Sequence, residues 1–432
     1  MKDQPISPRL ARHTLGWWVA IALMMMPGFA VAERLLIPMD LSQTNHLRAY
    51  GLVIWMIERD APVEWLLNFR GGSFVVRHDA LIAAEAQIRG VSYERISETD
   101  MARVLAEVDR SNMDVVHLEK APRIAVFTPP NSQPWDDAVT MALEYAQIDY
   151  DKIWDKEVLE GGLAEYDWLH LHHEDFTGQY GKFYASYGRQ PWYREQQLLY
   201  EGLARQLGYA KVADAKKATV QKILQYISEG GFLFAMCSAT DTFDIALAAL
   251  GVDIVHEVFD GDPADAAAQS KLDFHNTVAF ENFRLETNPL VYEHSDIDTT
   301  PKDQRNVRSA DAEYFTLFEF SAKHDPVPTM LTQCHTNIVN GFMGQTTAFR
   351  RRLLKDSVII LGEVEGKEEV KYIHGLVGKG TFTFYGGHDP EDHKHHVGDP
   401  PTQLELFPHS PGYRLILNNV LFPAAKKKER KT

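Results

Sequence analysis

The chain has 432 residues, with 60 acidic against 44 basic side chains and a net charge of −16 when histidine is neutral. That balance excludes nucleic acid as a natural partner, while 45% hydrophobic residues supply ordinary cores for two domains. Two cysteines, Cys237 and Cys334, exclude a disulfide framework, although an oxidising compartment would let the two pair with each other.

The first predicted element is an export leader. Lys2, Arg9 and Arg12 give a positive start, Leu15 to Met26 is apolar but short for a bilayer, and Ala30-Val31-Ala32 offers an A-x-A cleavage site. Residues 1–32 therefore read as a signal peptide cleaved after Ala32, which places the mature protein in the periplasm or outside the cell. No later segment is long and apolar enough to span a membrane, so no stable span is expected after cleavage.

Residues 33–118 read as a small α/β unit. Strands are expected at 34–39 and 63–69, a helix at 42–58 with Leu47, Tyr50, Val53, Ile54 and Ile57 on one face, and helical patterns near 78–89 and 98–111. Residues 119–424 read as a second, larger domain. Its expected strands are 123–128, 166–173, the run before Cys237, 358–362 and 380–385; its expected helices are 135–147, a long stretch 193–229, the segment after Cys237, and 410–422. Residues 255–330, rich in Asp and Pro, read as an insertion, and 425–432 as a solvated basic tail. The alternation predicts an α/β fold with a doubly wound, mostly parallel sheet, whose ligands sit at the carboxyl ends of the strands.

Three chemistry-bearing segments fall at such strand ends. In Gly230-Gly231-Phe232-Leu233-Phe234-Ala235-Met236-Cys237-Ser238-Ala239, an apolar strand meets a helical pattern at a cysteine flanked by small residues. A sharp strand-to-helix turn of this kind presents a nucleophile, and the helix N-terminus favours the thiolate. The backbone N–H groups near Ser238 are the expected oxyanion donors. After the last predicted strand, Gly386-Gly387-His388-Asp389-Pro390-Glu391 offers a base, His388, and an acidic orienter, Glu391, with Asp389 as its substitute. The strand 166–173 runs into His170, His172, His173, Glu174 and Asp175, expected to line the pocket and orient the substrate. No cofactor is called for by these residues. His170 and His172, with His393 and His395 near the second cluster, are the candidate ligands of a competing metal site, matched to no zinc motif of fixed spacing.

These segments resemble the class I glutamine amidotransferase-like superfamily, its ThuA-like and DJ-1-like branches included, over about residues 120–422. The resemblance rests on the Cys237 elbow, the strand ending in Gly386-Gly387-His388, and the closing helix. It implies a Cys237–His388–Glu391 triad. The family's usual elbow glycines are Ala235 and Ala239 here, and its His-x-Glu spacing is His388-x-x-Glu391. The whole chain also resembles an exported bacterial family often labelled asparagine synthetase B, through Ile37-Pro38-Met39-Asp40-Leu41, Trp168 to Tyr184 and Ser410 to Ala424. The ligase chemistry of that label needs an N-terminal cysteine and a Ser-Gly-Gly-x-Asp-Ser loop, and the sequence holds neither.

Taken together, the residues predict an exported cysteine-dependent amidase or related hydrolase acting on a small molecule, a peptide or a sugar. The aromatic run Phe176, Tyr180, Phe183, Tyr184, Tyr187, Trp192 and Tyr193 reads as packing under a loop or as a lid that stacks on a ring. Two alternatives stand beside this reading: a non-catalytic ligand-binding module on the same fold, and a metal-dependent hydrolase using the histidine clusters. The oligomeric state is left open.

Overall fold

The computed structural model describes residues 33–299, 314–341, 344–392 and 397–425, together with residue 1. The expected signal peptide, His393, His395 and residues 426–432 of the expected basic tail lie outside the described residues. Among the described residues, no helix is long and apolar enough to cross a membrane.

The first sheet is built from β1 (Glu33–Ile37), β2 (Val63–Leu67), β3 (Ser73–Arg77), β4 (Glu94–Ser97) and β5 (Asp114–Leu118), in the order β4-β1-β3-β2-β5. Its described pairings are antiparallel. Helix His46–Ile57 opens at Asn45, whose side chain accepts the Arg48 N–H at 3.0 Å and so satisfies one of the free donors of the first turn. The helix is buried almost throughout, because it lies between this sheet and the helices Ala138–Ala146 and Pro411–Leu421. Arg414 of the last helix is buried with it. Its guanidinium donates to Met39 O (2.7 Å), Gly71 O and Tyr50 Oη (3.2 Å), so backbone carbonyls of the first unit take up the charge's donors.

The second sheet holds β6 (Ile124–Phe127), β7 (Asp151–Ile153), β8 (Trp168–Leu171), β9 (Phe232–Met236), β10 (Tyr314–Leu317), β11 (Ile338–Asn340), β12 (Phe349–Arg350), β13 (Ile359–Glu363), β14 (Glu369–Val377) and β15 (Gly380–Tyr385). Their order is β11-β10-β13-β14-β15-β9-β8-β6-β7, with β12 paired to β14. The half from β15 to β7 is parallel; the half from β15 to β11 is antiparallel. The fold is therefore mixed α/β, and the expectation of a mostly parallel sheet is corrected. The cause is local: β14 reaches β15 through Gly378-Lys379, with Gly378 at φ +60°, and a two-residue turn of that hand joins antiparallel neighbours.

Two further expectations change. The stretch 193–229 is two helices, Pro191–Gln206 and Val212–Glu229, separated at Gly208 with φ +87°. The expected insertion is not wholly irregular, since β10 within it joins the second sheet. The expected strand 380–385 and closing helix stand where β15 and Pro411–Leu421 lie.

Side-chain alternation along β9 places Phe232, Phe234 and Met236 in one core and Leu233 and Ala235 in the other. The first core is continuous with that of the antiparallel sheet, since Trp65, Leu143, Phe234 and Tyr413 belong to it together. The carboxyl ends of β6, β8, β9 and β15 then converge on one edge, each followed by a loop that carries titratable side chains.

Candidate functional site

Cys237 follows β9 and precedes the helix Ala239–Ala248. Its φ is +53°, a conformation that costs a non-glycine residue roughly 1–2 kcal/mol. Backbone bonds hold it there: Cys237 N–H donates to Gly387 O at 3.0 Å, and Ala239 N–H donates to His172 O at 3.2 Å. The elbow is thus tied to the loops after β15 and β8. Gly344 (φ +140°) packs against the same place, where an added Cβ would meet His388 Cβ at 2.7 Å.

The ring nitrogen found at the sulfur belongs to His173. Cys237 Sγ lies 3.3 Å from His173 Nδ1, and His173 Nε2 lies 3.4 Å from His388 Nε2. Asp136 Oδ1 lies 3.1 Å from His388 Nε2, in the position expected for Glu391 or Asp389. His388 is therefore displaced outward by one imidazole from the place expected for the base. The reason is that β8 ends at Leu171, so that both His172 and His173 stand beyond the strand; the three rings of His172, His173 and His388 have centroids 4.1–4.4 Å apart. Asp389 turns the other way, its Oδ1 accepting the Glu391 N–H at 2.9 Å, and burial raises its carboxyl above the usual range.

Burial pushes the Cys237 thiol well above its ordinary value. The Ser238 and Gln345 backbone N–H groups, which hydrogen-bond the sulfur, act against that rise, while the Asp241 and Asp298 carboxylates add to it. This direction runs against the thiolate expected from the helix N-terminus. Neither cysteine is in a disulfide.

A second group lies beside this row. Asp137 Oδ2 is 3.3 Å from His170 Nε2 and 2.9 Å from His172 Nδ1. The longer contact has hydrogen-bond geometry; the shorter does not, and His172 Nδ1 is buried with no hydrogen-bond partner among the described residues. Burial raises the Asp137 carboxyl, but the nearby His172 and His170 imidazoles more than reverse this and leave it well below the usual range. One ligating atom each from Asp137, His170 and His172 lie within 4.8 Å of one another, and the same holds for His172, His173 and His388.

The other expected pocket residues divide. Asp175 is a loop organiser: its carboxylate accepts from Thr177 N and Oγ1, Gln179 N and Gly181 N, with His294 Nε2 3.4 Å away. Glu174 turns into the core against Lys216, which also pairs with Asp155 at 2.7 Å. Burial and the nearby Asp155 lift the Glu174 carboxyl to about 7 against the pull of Lys216. Ser238 lies at the elbow with its side chain buried.

A cavity of about 860 Å³ opens beside the row. Asp136, Asp137, His172 and His173 line it, with Trp135, Trp154 and Tyr200 as aromatic walls. Cys237 is fully buried one step behind His173. Asp136, Asp137 and Gln345 were not singled out from sequence. For the two aspartates the available signal is their place in the loop after β6, the neighbour of β8; the expected helix 135–147 hides it, because the helix begins at Ala138 with Asp137 as its cap, and Gln345, between β11 and β12, carries no such signal.

No family model matches the chain, and no curated protein matches it. Among solved structures it is similar to a cytoplasmic protein, STM1381, from Salmonella typhimurium LT2, at 14% identity and a TM-score of 0.34 over 70% of this chain and 99% of the other. A second Salmonella typhimurium cytoplasmic protein, STM3548, matches at 12% identity and a TM-score of 0.33, over 71% of this chain and 100% of the other. A GH42 beta-galactosidase, Gan42B, matches at 8% identity and a TM-score of 0.26, over 62% of this chain and 28% of the other.

Proposed function

We propose that the protein is a cysteine-dependent hydrolase of the amidase type, on a class I glutamine amidotransferase-like arrangement of β15, β9, β8 and β6. The observation that carries this reading is the Cys237–His173 contact of 3.3 Å at a residue held at φ +53°. Strain of that kind persists where the surrounding structure over-determines it, and a nucleophile elbow is one such place.

In the proposed reaction, His173 Nδ1 takes the proton from Cys237 Sγ as the sulfur attacks the carbonyl carbon of an amide. His388 Nε2 faces both His173 Nε2 and Asp136 Oδ1, so the Asp136 carboxylate stabilises the positive charge that forms on the imidazole pair. Backbone N–H groups at Ser238 and Gln345 face the sulfur and are the donors nearest the developing oxyanion. Collapse of the tetrahedral intermediate breaks the C–N bond, and His173 returns the proton to the leaving amine. Water then hydrolyses the thioester, releasing the acid and restoring the thiol. Because the cavity meets the row at His173, substrate reaches the sulfur past that ring and past Trp135, whose centroid is 5.0 Å from it.

The test is a panel of small amides and esters, including aminoacyl and acetylamino-sugar amides, assayed with the wild type and Cys237→Ala. Turnover lost in Cys237→Ala at unchanged fold supports the reading. Turnover retained in that variant ends it.

A further inference from the structure

We infer that Asp137, His170 and His172 form a binding site for a divalent cation of the zinc class, open to the same cavity. The inference goes beyond the cysteine reading and stands on different residues.

The argument is one of missing protons. His170 Nδ1 lies 3.2 Å from Phe234 O. A carbonyl oxygen only accepts, so Nδ1 carries the hydrogen and the Nε2 of the neutral ring carries a lone pair. That lone pair points at Asp137 Oδ2, 3.3 Å away. The ring is fully buried in β8. On the other side, His172 Nδ1 is 2.9 Å from the same oxygen without hydrogen-bond geometry. The Asp137 oxygen therefore faces the His170 lone pair, while the buried His172 Nδ1 beside it has no hydrogen-bond partner among the described residues. Like-signed lone pairs at these distances repel, and a cation between them removes the conflict.

The two distances to Asp137 Oδ2, 3.3 Å and 2.9 Å, suit an ion. Ligand atoms held about 2.0–2.1 Å from zinc stand about 2.9–3.4 Å apart for angles between about 90° and 110°. Imidazole, imidazole and carboxylate form a donor set that zinc and its neighbours accept. The other carboxylate oxygen is already fixed: Asp137 Oδ1 accepts the Val139 and Thr140 N–H groups at 2.8 Å as the cap of helix Ala138–Ala146. The Phe234 carbonyl orients His170 in the way that outer partners orient metal-bound histidines. Asp137 and His172 line the cavity, so water or a substrate oxygen can take the remaining position.

The experiment uses the purified full chain, stripped with a chelator and then titrated with Zn²⁺ or Co²⁺ alone. The expected result is one equivalent bound, with visible d–d bands for Co²⁺ of low coordination number. Asp137→Asn keeps the helix cap, since Asn caps as well as Asp, and removes the ligand charge; it should weaken binding by at least about 100-fold. His170→Gln should do the same, with circular dichroism confirming the fold. Cys237→Ala and His388→Gln should bind the ion as the wild type does, so failure here is separable from failure of the cysteine chemistry. Absence of a stoichiometric ion would overturn the inference. So would binding that survives Asp137→Asn but is lost in His388→Gln, which would move the ion to the His172–His173–His388 group.

Discussion

Asp136 Oδ1 and His388 Nε2 lie 3.1 Å apart although 252 residues separate them in the chain. The contact joins the loop after β6 to the loop after β15, across the two strands between them. It ends a row of four groups, Cys237, His173, His388 and Asp136, that spans the carboxyl edge of the parallel half-sheet. A carboxylate at the far end stabilises positive charge on either imidazole, which is the charge a proton leaving the sulfur creates.

Trp135 stands over that row. Its ring packs on His173 and also on Phe183 and Trp192, with centroids 5.0–5.6 Å away. Trp135→Ala should expose the row and raise the rate of Cys237 alkylation by iodoacetamide several-fold, read by peptide mass spectrometry. An unchanged rate would mean that the sulfur is reached by another path.

Asp175 shapes the loop rather than the chemistry. In Asp175→Asn the amide presents N–H donors to the Gln179 and Gly181 N–H groups that the carboxylate now accepts. A loss of about 3 kcal/mol in unfolding free energy is expected by chemical denaturation. The wild-type carboxyl sits well below its ordinary range: burial would raise it, and His294 and the loop donors more than reverse that. Its contribution is therefore present above the unfolded value of about 3.8 and is lost as pH falls below it.

Acid should also loosen the contact between the first unit and the rest of the chain. His46 stacks on His335 with centroids 4.5 Å apart, and His409 Nδ1 lies 3.3 Å from His46 Nδ1. Burial, with Arg414 and His335 nearby, lowers His46 from 6.5 to about 3. The unfolded chain binds more protons between those values, so stability is full above pH 6.5 and falls as pH drops towards 3. For His46 alone the loss between pH 7 and pH 5 is about 2 kcal/mol. His46→Gln should flatten that slope in thermal unfolding scans; an unaltered slope would assign the acid sensitivity elsewhere.

Much of this framework is legible in the residues. The apolar run Phe232 to Met236, the small residues around Cys237 and the helical pattern after it are local signals, and the elbow stands where they put it. His388 and His173 were visible for the same reason, as polar residues at the ends of buried strands. Their order in the row was not, because it depends on how two loops stack across a sheet, and no spacing within either loop encodes that. Asp136 was hidden by a boundary: residues 135–137 run directly into Ala138–Ala146, and only the cap geometry of Asp137 shows where the helix begins. The antiparallel half of the second sheet was missed because β14, Glu369–Val377, has charged and apolar residues mixed at its start and ends in Gly378-Lys379, a hairpin signal that is weak without its partner strand.

The most direct test of the account is the site of acyl transfer. The purified chain is mixed with a small activated ester such as p-nitrophenyl acetate, and the adduct is mapped by intact and peptide mass spectrometry at early times. The account predicts one acetyl group on Cys237, absent in Cys237→Ala and formed at least about 100-fold more slowly in His173→Gln, the usual scale for removing a general base. An adduct on any other residue, or unchanged acylation of Cys237 in His173→Gln, would contradict it.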